Sequence, residues 1–335
     1  MEIRGRTTAE VANKTVELIL RKGSQLKRIT GPWALHSKIA EQPMLELRNI
    51  TLVVESPRAR WNTRVVEGTC QEFLDYYLGL NPGYVHLTGW KFYDRWRNTL
   101  TGRYPYTYGE RVYGLTETNQ WRLCVANFKK NLTTRHCSIS IWRPEDLFGS
   151  FVPCALLWHF QVNEKRELEM TCVMRSQDAF LGLFLDLFAY THFHEIMAGE
   201  LGLKLGAFTQ FQSNVHIYKK RVGHYKMPLV RDPPSYSTNN GDLESAIVCK
   251  PLRSREKVVL LKTVKAWYDD RKPSKASDLM NRLPNYWKAY LSFQFLDRQS
   301  PNSQSSVDST PWKPLWEHLT PEMRWILGRR GKRPD

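Results

Sequence analysis

Between Leu183 and Glu200 the chain reads LFLDLFAYTHFHEIMAGE, apolar at helical spacing as far as Gly202. A stretch of this kind predicts one long helix at the centre of the fold. It also sets a problem, because Asp186 sits among Leu183, Phe184, Leu185, Leu187 and Phe188, where an unpartnered carboxylate is costly to bury. That acid must face something polar.

The flanks supply strands. HCSISIW, PCALLWHFQV and ELEMTCVMRS precede the helix, and AFTQFQSNVHIYKK follows it with a strand-like pattern. Strands grouped around a single long helix predict an α+β fold with a mixed sheet. Upstream, AEVANKTVELILRK reads as a helix stopped by Gly23, MLELRNITLVVES as a strand pair, and CQEFLDYYLGL as a helix ended by the Asn81-Pro82-Gly83 turn. GWKFYDRW and RYPYTYGERVYG, rich in aromatics, Gly and Arg, read as loops around a pocket. After Tyr218 the character changes. DPPSYSTNNGD is a linker, REKVVLLKTVKAWYDD an amphipathic helix and RQSPNSQSSVDSTP a polar connector. We therefore expect a core domain over residues 1–222 and a C-terminal extension over 223–335 packed on it.

Charge and cysteine usage narrow the chemistry. A formal charge of +16 points to anionic partners, nucleotides or nucleic acid among them. Six cysteines without CxxC or CxxH spacing argue against a zinc site and against a disulfide framework. No uncharged apolar run reaches the length of a membrane span, and the first thirty residues are charged throughout, so the expectation is a cytoplasmic protein with no membrane association.

Several residues can carry chemistry. Cys154, directly after Pro153 at the start of a strand, is either a small buried hydrophobe or a nucleophile, and the second role needs a cation such as Arg175 or Arg135 nearby. Arg175, Ser176 and Asp178 form a polar cluster at a strand end, where an arginine fork and a hydroxyl suit a phosphate. His192 and His194, at i and i+2 of a helix, face different sides and do not suit a metal. His216 and Tyr218 alternate on a strand and share a face, where they bond a sugar hydroxyl or simply half-bury two amphipathic side chains.

In order and spacing these residues resemble thymidylate synthases: Pro-Cys at 153–154, RSxD at 175–178, Leu-Gly at 181–182, Asp186 with Tyr190, LGAF at 205–208 and HIY at 216–218. TRHCSISIW, TYGERV, QEFLDYYLG and KRITG are similar to that family's phosphate-binding arginine segment, Tyr-Gly stretch, glutamate helix and flexible arginine loop. The resemblance covers residues 10–220 and implies the family's mixed sheet with a long central helix. It also implies a folate-dependent one-carbon transferase, with 5,10-methylenetetrahydrofolate as co-substrate and no metal.

The family carries an asparagine where this chain has Asp186, and that amide reads uracil. An acid suits cytosine better, which is the pattern of the family's deoxycytidylate hydroxymethylase branch. The resemblance therefore implies hydroxymethylation at C5 of a cytidine 5′-monophosphate, and the chain's length leans the choice to CMP ahead of dCMP. In this reading Cys154 adds to C6, Glu72 orders water and relays protons, and Asp186 reads the base. Arg175 and Ser176 hold the 5′-phosphate, with Arg135 contributed across a homodimer interface and Arg28, or its neighbour Lys27, closing from the loop. His216 and Tyr218 bond the sugar, and Asp178 contacts the pterin. The arginines are expected to lower the Cys154 pKa. Competing readings are a uridylate-methylating synthase and a catalytically inactive, basic nucleic-acid-binding relative. The six site residues from Cys154 to Tyr218 that occur together make the last the weakest, so nucleic acid is not an expected partner.

Overall fold

A computed structural model describes residues 1–26, 43–88, 97–114, 118–149, 151–218, 230–236, 248–269, 273–298 and 313–330. Eight strands form one mixed sheet: β1 (Glu2–Gly5), β2 (Ser24–Leu26), β3 (Met44–Val54), β4 (Ser138–Ser140), β5 (Ala155–Val162), β6 (Glu167–Met174), β7 (Gln177–Asp178) and β8 (Lys204–Tyr218). Their order is β1-β3-β8-β6-β5-β4, with β2 on β3 and β7 on β8. β8 is antiparallel to β3 and parallel to β6, which makes the sheet mixed as expected.

The 15-residue β8 organises the site. Side chains alternate along a strand, so Phe208, Gln210, Gln212, Asn214, His216 and Tyr218 share one face. That face begins apolar and turns polar toward its C-terminal end. The opposite faces of β5, β6 and β8 leave Leu157, Val173 and Phe211 only half-buried, in register across the three strands.

Helix α1 (Thr8–Lys22) is capped by Thr7, whose hydroxyl accepts from the Glu10 N–H, and ends at Gly23. Helix α2 (Glu67–Leu78) ends at Gly79, whose φ of 67° demands glycine. Short α3 (Tyr108–Tyr113) and α4 (Gln120–Lys130) lead to the sheet, and α5 (Gly182–Leu201) crosses its core face. Because α5 is apolar on nearly every side, it is buried from Leu187 to Ala198. Tyr190 and Phe193 pack on Trp158 of β5 at ring distances of 5.1 and 5.0 Å, and Phe73 of α2 meets Phe193 at 5.5 Å. No helix among the described residues is long and apolar enough to cross a membrane.

The C-terminal region adds α6 (Ser254–Tyr268), α7 (Pro273–Met280), α8 (Asn285–Arg298), α9 (Lys313–Glu317) and α10 (Pro321–Gly328). Helix α8 lies along α2: Trp287 stacks on Tyr77 at 5.0 Å, the Tyr290 hydroxyl donates to the Cys70 carbonyl at 2.9 Å, and Gln294 donates to Gln71 at 2.5 Å. A second tie is a backbone hydrogen bond, from the Cys249 N–H to a carboxylate of the core. Glu195 of α5 accepts from Arg58 and Arg60 and also from the Cys249 N–H.

Two expectations need correction: RYPYTYGERVYG, read as a loop, carries helix α3 at Tyr108–Tyr113, and the expected strand pair is not a pair. MLELRNITLVVES is one continuous strand, since its hydrogen-bonding partners come from β1, β2 and β8 rather than from itself, and the positive φ of 52° at Asn49 does not turn the chain. Helix α4 was not anticipated, and its short apolar face of Trp121, Cys124 and Phe128 explains why.

Candidate active site

A cavity of about 1280 Å³ opens where the core face of β8 turns polar. Its wall includes Cys154 at the head of β5, Arg175 and Ser176 just after β6, Asp178 in β7, and His216 and Tyr218 in β8. From the helices, Glu72 of α2 and Asp186 of α5 join the same wall. Eight of the ten residues singled out in the sequence thus meet in one cavity. Arg135 is exposed on the segment leading into β4 and does not line it, and Arg28 lies outside the described residues.

Cys154 is half-buried, and its sulfur lies 4.0 Å from Nη2 of Arg175. That guanidinium is aimed by main-chain carbonyls, with Nε donating to Pro153 at 2.7 Å and Nη2 to Val152 at 3.2 Å. The backbone N–H groups of Cys154 and Ala155 both donate to the Tyr108 hydroxyl, each at 3.3 Å, which fixes the turn bearing the thiol. Burial pushes the Cys154 pKa up; Arg175 pulls it back, while Asp186 and Asp178 raise it further. The net direction is upward, opposite to the lowering expected. One arginine already engaged by carbonyls does not outweigh loss of water and two nearby acids.

Asp186 answers the problem its position sets, because it faces the cavity. Burial raises its pKa to about 7, and the charge of Glu72 adds to the rise; the nearby polar groups of Gln177 and Tyr190 oppose it. The carboxyl is therefore poised between acid and base near neutral pH. Glu72 accepts from the Tyr76 hydroxyl, one turn along α2, at 2.8 Å. Its neighbour Asp75, also raised by burial to about 7, accepts from Gln71 and from the N–H groups of Tyr84 and Val85, and so holds the turn that forms the cavity rim.

Asp178 accepts from the Phe180 and Leu181 N–H groups at 2.8 and 3.2 Å, which orders the entry into α5. His216 bonds the side-chain amide oxygen of Asn214 through Nδ1 at 2.9 Å and meets Tyr218 edge-on at 5.0 Å. His192 and His194 are structural: the first bonds the Phe188 carbonyl and the Tyr286 hydroxyl, the second the Leu168 carbonyl.

Sequence reasoning missed a glutamine pair. Gln177 lines the cavity between Ser176 and Asp178, and Gln210 of β8 donates to its carbonyl at 3.2 Å. Gly182 makes room for it, since a Cβ there would come within 2.5 Å of Gln177 Nε2. The available signal was the glutamines at core-facing positions of β8, where a purely structural strand would be apolar. Also missed was Arg330 from the C-terminal region. It reaches the cavity wall while donating to Asp297 at 2.5 Å and to the carbonyls of Thr63 and Val65 at 3.0 and 2.7 Å.

Mixed sheet, central helix, and a cavity joining a thiol, an arginine and an acid define a class: α+β proteins with a polar cavity at the end of their longest strand. The family model described as thymidylate synthase matches residues 14–245, and the chain belongs to the thymidylate synthase family. It is similar to thymidylate synthase of Mycoplasma genitalium, 30% identical over 131 residues, which are 38% of this chain and 45% of that protein. Thymidylate synthases of Mycoplasma pneumoniae and Malacoplasma penetrans are each 28% identical over 127 residues, 38% of this chain and 44% of theirs. The matched stretches thus span less than half the length of these relatives.

Proposed function

We propose that the protein transfers a one-carbon unit to C5 of a cytidine 5′-monophosphate, ribo or deoxy, and releases the 5-hydroxymethyl product. The observation that carries this reading is Asp186, an acid on the wall of the cavity that also holds Cys154. When protonated it donates to the bare N3 of cytosine through O–H and accepts from the 4-amino group through its carbonyl oxygen. With a pKa of about 7 it holds that proton below about pH 7.

The wall also suits a folate. Phe180 and Phe184 offer an apolar face, with the Arg64 guanidinium 4.6 and 5.3 Å from their ring centres. When bound, 5,10-methylenetetrahydrofolate would supply the one-carbon unit at the oxidation level of formaldehyde. The chain's own residues do the rest. Cys154, once deprotonated, adds to C6 and makes C5 nucleophilic. Tyr108 holds the turn bearing the thiol, and Arg175 and Ser176 take the 5′-phosphate. Glu72, coupled electrostatically to Asp186, orders the water whose oxygen ends in the hydroxymethyl group. The sum is C5–H plus the one-carbon donor and water, giving C5–CH₂OH and tetrahydrofolate.

We further propose a homodimer. The half-buried row of Leu157, Val173 and Phe211 supports a partner on the outer sheet face, and exposed Arg135 would reach the partner's cavity.

A second reading, methylation of a uridylate, is favoured by the names of the relatives. Incubation with methylenetetrahydrofolate and each of CMP, dCMP, UMP and dUMP, followed by mass analysis, separates the two. A gain of CH₂O on a cytidylate is expected, and a gain of CH₂ on a uridylate alone would replace our reading with the second.

A further inference from the structure

The ladder between β3 and β8 carries into the cavity one acidic side chain that no step above uses. Glu46 is 4% exposed, lines the cavity wall, and stands opposite His216 in the antiparallel register. The two side chains therefore share a face, and Tyr218 lies two residues further along it.

Its contacts are specific. Oε1 accepts from Nε of Arg48 at 2.7 Å and from Nη2 of Arg48 at 2.5 Å, and Oε2 accepts from Nδ2 of Asn214 at 2.5 Å. Asn214 in turn bonds Nδ1 of His216 at 2.9 Å, so Glu46 and His216 are held by one amide. A carboxylate offers about four acceptor positions, and among the described residues these contacts use three, which leaves Oε2 able to take one more donor. Arg48 alone does not account for burying this acid, because its own side chain is 63% exposed and such a pair contributes little.

We propose that Glu46 accepts a hydrogen bond from the 2′-hydroxyl of a bound nucleotide, which makes the cavity selective for ribonucleoside over 2′-deoxyribonucleoside monophosphates. The proposal rests on the reading of this cavity as a pyrimidine nucleotide site in which His216 and Tyr218 take the 3′-hydroxyl. The 2′-hydroxyl is vicinal to it, and adjacent strands about 4.8 Å apart let one diol bridge the pair. A deoxynucleotide would leave the buried carboxylate oxygen short of a donor, the situation in which polar sites discriminate most strongly.

The test is calorimetric titration of the full chain with CMP and dCMP, in parallel with release of tritium from C5-labelled nucleotide in the presence of methylenetetrahydrofolate. The ribonucleotide should bind at least about tenfold tighter. Glu46→Met, of similar length but with no polar atom, should bring the two affinities together by weakening CMP, and Glu46→Gln should restore part of the preference. Thermal unfolding of each variant without ligand checks that it is folded. Equal or tighter binding of dCMP by the native chain would overturn the proposal. So would a Glu46→Met variant that loses affinity for both sugars by the same factor, since Glu46 would then only position His216 through Asn214. A ribose preference without tritium release would leave the sugar contact standing and remove the proposed reaction; no binding of either nucleotide would remove both.

Discussion

Two acids of the cavity wall, Asp75 and Asp186, have pKa values of about 7, and in the proposed reading Asp186 is the one that meets the base. Its pKa of about 7 lies between the two states that a cytosine distinguishes, and only the protonated acid donates to N3. Below about pH 7 the free protein already holds the proton, so affinity for a cytidylate should be flat. Above it the complex must take a proton from solvent, and affinity should fall toward tenfold per pH unit. Titration calorimetry from acidic to alkaline pH reads this directly, and an affinity that rises with pH would remove the donor role. Gln177 adds a second check. Its polar side chain lowers the Asp186 pKa, so Gln177→Leu should move the break in the profile upward. The thiol also belongs to this scale: Cys154→Ala should abolish exchange of tritium from C5, and persistent exchange would mean another nucleophile. Cys154, Arg175 and Asp186 were legible in the sequence because their chain order carries the pattern. The Gln177–Gln210 contact and the Glu46–His216 pairing were not, because each joins residues brought together only by strand register, which no local spacing encodes.

Helix α5 was legible for the opposite reason. Its apolar character is local, so its span from Gly182 to Leu201 follows from residues that are neighbours in the chain. What the helix does at its far end was not legible, since Glu195 meets Arg58, Arg60 and Cys249 from two distant segments. That cluster is a sharp stability test. Arg60 and Glu195 are each 2% exposed, and Glu195→Gln leaves a buried guanidinium without its counter-charge. Breaking such a pair costs about 3–5 kcal/mol, while the amide oxygen keeps an acceptor for the Cys249 N–H. Urea unfolding of the variant should show a lower midpoint with an unchanged slope; a shift within about 0.5 kcal/mol would mean the cluster relaxes into solvent. The strand β3 was misread at this scale. Alternation finds a strand but does not say how many partners flank it, and here β1, β2 and β8 all do.

At the scale of the whole molecule a half-buried apolar row marks the outer face of the sheet, and exposed Arg135 lies off the wall of its own cavity. Both are explained if two copies stack through that face. Leu157, Val173 and Phe211 then become buried, and Arg135, which lies outside its own cavity wall, enters that of the partner. The two-fold symmetry of such a contact means each copy gives one arginine and receives one. Cys154→Ala and Arg135→Ala homodimers should then each be inactive or nearly so, for different reasons. In a mixed dimer the site holding the native Cys154 receives its arginine from the Cys154→Ala copy, so one site of two is complete. Unfolding and refolding an equal mixture makes half of the dimers mixed, and activity should recover to about a quarter of the native level. Product formation in the mixture, compared with each variant refolded alone, is the measurement. No recovery, in a sample that sedimentation shows to be dimeric, would confine Arg135 to its own surface and leave the phosphate to Arg175 and Ser176.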